Sequence, residues 1–326
     1  VKQKSPYQAK NPAPPVVASW DKRVRSLLLR LAKDRTHDAG YLLANCDAVY
    51  RTVDGRGPDK ETVHPGAGAR ITFNLSAVHV PGFCEASKDP AARAFKNCYD
   101  VADNAANSMS HNTVAERRQV VDGSLPLPAN VALRDVYFGA VDINGTGVRF
   151  YGDVCLVLHR HVAESCIVLD RNSYDVIRSP IREQVARLGN KNQALQSMHR
   201  SAIVKTWSGA WNTDLRYIVA TKAFAALPLT ARRWTTGHIS QAVCSDEDYI
   251  EVLQYGSFKA IDLQEARIAS YDVAEDALTA SRQASRRPAP RLEAMLWARR
   301  RARAETALRA LGVPVRTMGH HGRVRN

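Results

Sequence analysis

The spacing of apolar and polar positions changes period several times along the chain. Val24, Leu27, Leu28 and Leu31 recur at i, i+3, i+4 and i+7, which predicts an amphipathic helix from Asp21 to about Asn45, with Asp21 near its N-terminus. Its other positions carry Lys22, Arg23, Arg25, Arg30, Lys33 and Arg35 against Asp34 and Asp38, so the polar face is basic. Short strand-like runs begin at Ala69–Leu75 (ARITFNL) and continue with Asp135–Ile143 (DVYFGAVDI), Arg149–Leu158 (RFYGDVCLVL), Ser165–Leu169 and Asp248–Gln254 (DYIEVLQ). Asn144–Gly147 (NGTG) is a turn signal, Gly55–Gly68 a loop and Gly123–Pro128 a break. Asp89–Ser110, Ile181–Ser201 and Arg291–Leu311 read as helical. Strands and helices alternate irregularly, not at βαβ spacing, which predicts an α+β fold and argues against a doubly wound parallel sheet.

These runs suggest five segments: a linker over 1–18, the basic amphipathic helical segment over 19–46, a main domain over 47–276, a second linker over 277–290, and a helical segment over 291–326. The second linker is marked by Ala, Ser and Arg and then by Arg286–Pro290 (RRPAP). Val1–Pro15 lacks an initiator Met and an apolar signal core, so the start is expected to be the cut end of a longer protein. No apolar run approaches the ~18–20 residues that span a bilayer, and no membrane partner is expected.

Composition narrows the picture further. With 326 residues, 45% of them hydrophobic and 24% charged, the chain is of ordinary globular make-up. Of its formal charge of +14, a net +10 lies in residues 281–326, which hold twelve Arg, no Lys and only Glu293 and Glu305 as acids. A fold that bound nucleic acid across its main body would carry that charge in the main body, so nucleic acid is not the expected partner. The six cysteines (46, 84, 98, 155, 166, 244) show neither C-x-x-C nor zinc spacing and read as reduced thiols. His159/His161 and His320/His321 lack the i, i+4 spacing of a helical zinc site, so no metal is expected. The two commonest phosphate-cradling motifs, G-x-G-x-x-G and G-x-x-x-x-G-K-[ST], are absent.

Three features carry candidate chemistry. Glu251 opens an otherwise apolar strand behind Asp246, Glu247 and Asp248; the alternative is a rim carboxylate at a strand end. Tyr137-Phe138-Gly139 precedes a Gly-rich turn, where an aromatic could equally be core. His64 stands before Pro65 and Gly66 in a loop, where surface histidines are common.

The order His, aromatic, Glu on successive strands resembles the diphtheria-toxin branch of the ADP-ribosyltransferase fold. More closely, the chain resembles the OspC-type (CopC-like) effectors of type III secretion systems, arginine ADP-riboxanases with C-terminal ankyrin repeats. The likeness rests on ARITFNL (69–75), AFKNCYDVADNA (94–105), DVYFGAVDINGTGVRFYGDVCLVL (135–158), VLDRNSYD (168–175) and DYIEVLQYG (248–256). Glu305–Val315 (ETALRALGVPV) with Thr317–Arg323 (TMGHHGR) resembles the second helix and following loop of an ankyrin repeat. The resemblance implies a split β-sheet core with flanking helices, followed by the start of a helical ankyrin-like segment.

It also implies NAD+ as substrate, transfer of ADP-ribose to an arginine, and ring closure with loss of ammonia. Glu251 would hold the ribose hydroxyl, Phe138 would stack on the nicotinamide, His64 would fix the cofactor's pose, and Asp103 would act as base in ring closure. Glu247 and His79 are the fallbacks for Glu251 and His64. The implied setting is secretion by a type III system into the cytosol of a host cell, with host calmodulin as activator and host caspases as protein substrate. Asp21–Asn45 is the favoured calmodulin-facing segment, with Arg291–Leu311 the second. Two other readings stay open: simple mono-ADP-ribosylation, and a non-enzymatic basic binding module built on the Arg-rich tail.

Overall fold

The computed structural model describes residues 22–35, 39–56, 68–97, 100, 125, 127–160, 166–173, 208–227, 234–245, 248–285 and 290–319. In chain order these form α1 (Lys22–Arg35), α2 (Ala39–Val53), β1 (Ala69–Leu75), α3 (Val80–Ala86), β2 (Val136–Ile143), β3 (Val154–Leu158), β4 (Cys166–Leu169) and β5 (Ser208–Ala210). There follow α4 (Trp211–Ala226), α5 (Thr236–Val243), β6 (Glu251–Tyr255), β7 (Leu263–Ala269), α6 (Ser270–Ser285), α7 (Leu292–Ala310) and β8 (Val315–Met318). The fold is α+β, with one eight-stranded sheet in the order β5-β4-β6-β2-β1-β3-β7-β8.

Every pairing is antiparallel except β7 with β8, which α6 and α7 join by a crossover, the kind of long connection that parallel strands need. The two central strands diverge. β1 pairs with β2 only from Ala69↔Ile143 to Thr72↔Ala140. Beyond that point Phe73–Leu75 pair with β3 alone, and Val136–Gly139 pair with β6 alone. The middle of the sheet is therefore split.

Side chains alternate across the sheet, as the two-residue period of a strand requires. On one face Ile71, Phe73, Tyr137, Val141, Ile143, Val154, Leu156, Val252 and Ala266 form a continuous core with α2, α3, α4 and α5. On the other face one row of register partners runs Leu169–Glu251–Ala140–Thr72–Val157–Glu265. That face carries Arg70 and Thr72 of β1, Glu251 of β6 and Glu265 and Arg267 of β7, all of them buried, while Gln254 of β6 lies on the core face.

Five of the expected segments differ in the structure, and α3, β5, α4, α5 and β7 were not expected. The helix expected from Asp21 to Asn45 is two helices, and the second runs on to Val53 because Leu42, Cys46, Val49 and Val53 continue the apolar stripe. Residues 89–97 form turns instead of a helix, with the Asp89 carboxylate accepting from Ala91 N at 2.8 Å, and 101–110 lie outside the described residues. Arg149–Tyr151 is a 3-10 turn, and strand β3 starts only at Val154. Part of the linker expected over 277–290 is helical, because α6 extends to Ser285.

The fifth difference is at the C-terminal side. Ala304, Leu308 and Val313 are buried in the main core, and Val315–Met318 lies in the sheet beside β7. The residues that resemble an ankyrin turn thus begin as a sheet strand. Ile181–Ser201 lies outside the described residues. Cys46, Cys84, Cys155, Cys166 and Cys244 are buried free thiols, and Cys98 lies outside the described residues. Among the described residues no helix is long and apolar enough to cross a membrane.

Candidate functional site

The split opens a cleft of about 230 Å³, lined by Thr72, Asn74, Phe138, Tyr151, Tyr249 and Glu251 among others. Its inner end is aromatic. Phe95 stacks on Phe258 at 4.6 Å, Phe73 lies tilted against both at 5.2 and 4.6 Å, and Tyr137 meets Phe95 and Phe258 edge-on. Gly139 is required where β2 turns away from β1. A Cβ there would stand 2.9 Å from both Phe73 Cζ and the Thr72 carbonyl oxygen, so only a hydrogen leaves room for the divergence.

Glu251 is the first residue of β6 and is 1% exposed. A carboxylate removed from water needs donors. One is the Ser173 backbone N–H, at 2.9 Å from Oε2, supplied by the turn after β4. Phe138 lies on the same face, opposite Leu253 and so one step diagonal from Glu251, which puts the two Cα atoms roughly 7–8 Å apart. The ring is half-buried and lines the cleft. A fixed carboxylate beside an apolar aromatic ring is thus the core of the site.

The mouth is set by the loop after β2. Asn74 Nδ2 donates to Thr146 O at 2.9 Å and to Gly152 O at 3.0 Å, tying the chain on both sides of the Arg149–Tyr151 turn to β1. Gly147 holds φ +65°, left-handed backbone that favours glycine, and its N–H donates to Asp142 Oδ2 at 2.6 Å. Gly145 N also donates to Asp142, at 2.9 Å. The turn so held carries Tyr151 to the mouth, where its hydroxyl lies 3.1 Å from that of Tyr249.

Beneath the loop lies a buried ionic network. Arg267, 1% exposed, donates through Nε to Glu265 Oε1 at 2.6 Å and through Nη1 to Gly145 O at 3.1 Å. Asp142 is 4.0 Å away, and Arg316 approaches the second oxygen of Glu265 at 2.9 Å. Burial works against the Arg267 cation, but the Asp142 and Glu265 carboxylates outweigh it and hold its pKa above the ordinary value. Burial pushes the neighbouring Cys155 thiol well up, so it stays protonated.

Of the residues singled out in the sequence, the structure brings Glu251 and Phe138 into one cleft. His64, Asp103 and Glu247 lie outside the described residues. His79 is exposed at the start of α3 and is not part of the cleft lining. Sequence reasoning missed Thr72, Asn74, Tyr151 and Tyr249. The polar alternation of Arg70, Thr72 and Asn74 within ARITFNL was the available signal for two of them. Asp248, one of the acids flanking Glu251, is an exposed rim residue paired with Lys222 at 2.6 Å. Among the described residues no group of three His, Cys, Asp or Glu is placed to hold a metal ion. No protein-family model matches the chain, and no curated protein matches it.

Proposed function

We propose that the chain is an NAD+-dependent arginine ADP-ribosyltransferase that closes a ring on its product, in the manner of the OspC-type effectors it resembles. The observation that carries the reading is the pairing of buried Glu251 with Phe138 in a cleft opened by the split of an antiparallel sheet. In this reading the sheet is an ADP-ribosyltransferase core, and α7 begins its ankyrin-like segment.

The cleft's volume is below the ~300–1,000 Å³ of a pocket that encloses a drug-sized ligand, and suits one planar ring with its sugar. Phe138 offers an apolar face to nicotinamide. Glu251, oriented by Ser173 N–H, accepts from a ribose hydroxyl and faces the positive charge that develops as the bond from C1′ to the nicotinamide nitrogen breaks. That bond's electron pair leaves with nicotinamide. An acceptor guanidinium nitrogen bonds C1′ and releases a proton. Ring closure then joins a ribose oxygen to the guanidinium carbon, and ammonia departs with the second C–N bond. Asp103 is proposed as base for that step and His64 as a hydrogen-bond partner of NAD+.

The proposed setting follows the same resemblance: secretion by a type III system into the host cytosol, activation by host calmodulin, and host caspases as the modified proteins. Val24, Leu27 and Leu28 of α1 are buried, while Lys22, Arg25 and Arg30 face solvent, so calmodulin would meet the basic face of α1 first. Intact-mass spectrometry of a caspase incubated with NAD+, calmodulin and this chain tests the activity. ADP-ribose less ammonia is the predicted gain. A full ADP-ribose gain would instead support simple mono-ADP-ribosylation, and no gain would contradict both.

A further inference from the structure

The 3-10 turn that carries Tyr151 is held from two sides. Towards β1 it is pressed close: a Cβ at Gly152 would stand 2.2 Å from the Leu75 carbonyl carbon, and Asp153 Oδ1 accepts from Ala77 N at 2.8 Å. Its own backbone bonds are Tyr151 N to Val148 O at 3.2 Å and Gly152 N to Arg149 O at 3.1 Å. A single 3-10 turn has poor hydrogen-bond geometry, so its shape depends on what surrounds it.

On the other side stand α6 and α7. Arg149 reaches Asp272 of α6 at 2.8 Å and lies 4.3 Å from the Tyr271 ring centroid. Arg301 of α7 reaches the other oxygen of Asp272 at 3.7 Å, Asp153 at 3.4 Å and Asp276 at 2.5 Å. One guanidinium thus bridges both ends of the turn, through Asp272 and Arg149 at its start and directly through Asp153 just past its end. The side chains of Arg149, Asp272, Arg301 and Asp153 are only 12%, 6%, 9% and 13% exposed, so salt and water screen this bridge little.

Such a cluster is a poor way to hold α7 on the sheet. Taking charges out of water costs much of what their attraction returns, and apolar replacements of similar volume are often as stable or more so. Ala304 and Leu308, three and seven residues after Arg301 on the same helix face, already anchor α7 in the core, and β8 behind it pairs with β7. What the charges add is one specified arrangement, since ion pairs are directional where apolar contacts are not.

We infer that Arg301 is a positioning residue for the cleft: it fastens the Arg149–Tyr151 turn to the C-terminal helix pair and so fixes Tyr151 at the mouth. Tyr151 lines both the cleft and a larger groove of about 510 Å³ beside α6 and α7, so it is the wall between them, and a turn released from Arg301 lets that wall shift. The C-terminal helices are then part of the cleft, not an appendage to it. This deepens the transferase reading, which supplies the reason that the mouth matters; the coupling itself does not depend on that reading.

The test compares the whole wild-type chain with Arg301→Met, Arg301→Lys and Asp153→Asn, first by hydrogen exchange without NAD+ and then by nicotinamide release with Ca2+-free calmodulin. Met removes the charge, Lys keeps it on a single nitrogen, and Asn keeps the acceptor for Ala77 while removing the charge that faces Arg301. Peptides over 148–153 should exchange about tenfold faster in Arg301→Met and Asp153→Asn, and less than that in Arg301→Lys, with peptides over 303–311 unchanged. A merely structural role predicts that α7 loses protection together with the turn. KM for NAD+ should rise about tenfold in Arg301→Met with kcat within about twofold, and Arg301→Lys should recover most of the loss. Unchanged exchange over 148–153, equal loss over 148–153 and 303–311, or an opened turn with KM unmoved each overturns the inference. Asp153→Asn decides the matter if Arg301→Met does not fold. Faster turn exchange in a chain that releases no nicotinamide leaves the coupling standing and removes the transferase reading; nicotinamide release with unchanged turn exchange does the reverse.

Discussion

Arg267→Met removes the central cation of the network beneath the cleft. Three acceptors lose their partner: Glu265 at 2.6 Å, Gly145 O at 3.1 Å and Asp142 at 4.0 Å. At 4.0 Å and an effective dielectric of about 20, the Arg267–Asp142 attraction alone is about 4 kcal/mol before desolvation is counted. Breaking a buried pair typically costs about 3–5 kcal/mol because the remaining charge is stranded. Here Glu265 keeps Arg316 and Asp142 keeps two backbone amides, so the lower end, about 3 kcal/mol, is expected. Urea unfolding followed by circular dichroism measures it. Hydrogen exchange adds a local readout: the amides of Gly145 and Gly147 lose more protection than those of α4, since the turn loses its anchor. A loss below about 1 kcal/mol with unchanged protection would refute the claim that this network holds the cleft loop.

Two further perturbations test the geometry. Gly139→Ala drives a Cβ to 2.9 Å from the Thr72 carbonyl, which is backbone and cannot swing away. It should destabilise by about 1–3 kcal/mol and narrow the cleft, and wild-type stability would show that the split is not tight there. Asp170 has its pKa raised chiefly by burial, against the pull of Arg171 and Lys222. The fold therefore favours the protonated form, and its contribution to stability falls as pH rises from 3.8 through the raised value. Asp170→Asn should match wild type below that window and exceed it at pH 7; equal midpoints at pH 7 would contradict this.

How much of this was visible in the sequence depended on whether each strand had one wet face. ARITFNL and DVYFGAVDI declare themselves by alternation, and both strands are where that pattern put them. LQEARIA alternates too, but its charged residues Glu265 and Arg267 are buried, so a reading that sends charge to solvent passes over β7. Glu251 stood out because a lone acid opened an apolar run, and its partner Phe138 was legible only as an aromatic in a strand. The mouth was not legible: Tyr151 and Tyr249 meet from positions 98 residues apart, through a turn that depends on Asn74 side-chain bonds. The C-terminal helix was readable from its composition, whereas its burial against the sheet through Ala304 and Leu308 was not.

The most direct measurement is nicotinamide release from NAD+ by the wild-type chain, Glu251→Gln and Phe138→Ala, each with Ca2+-free calmodulin and matched for urea midpoint. Gln keeps the shape and the Ser173 acceptor but removes the charge, so kcat should fall by about 10²–10³ while KM changes little. Phe138→Ala should act mainly on KM, through the lost ring contact. Release by Glu251→Gln at the wild-type rate would contradict the account.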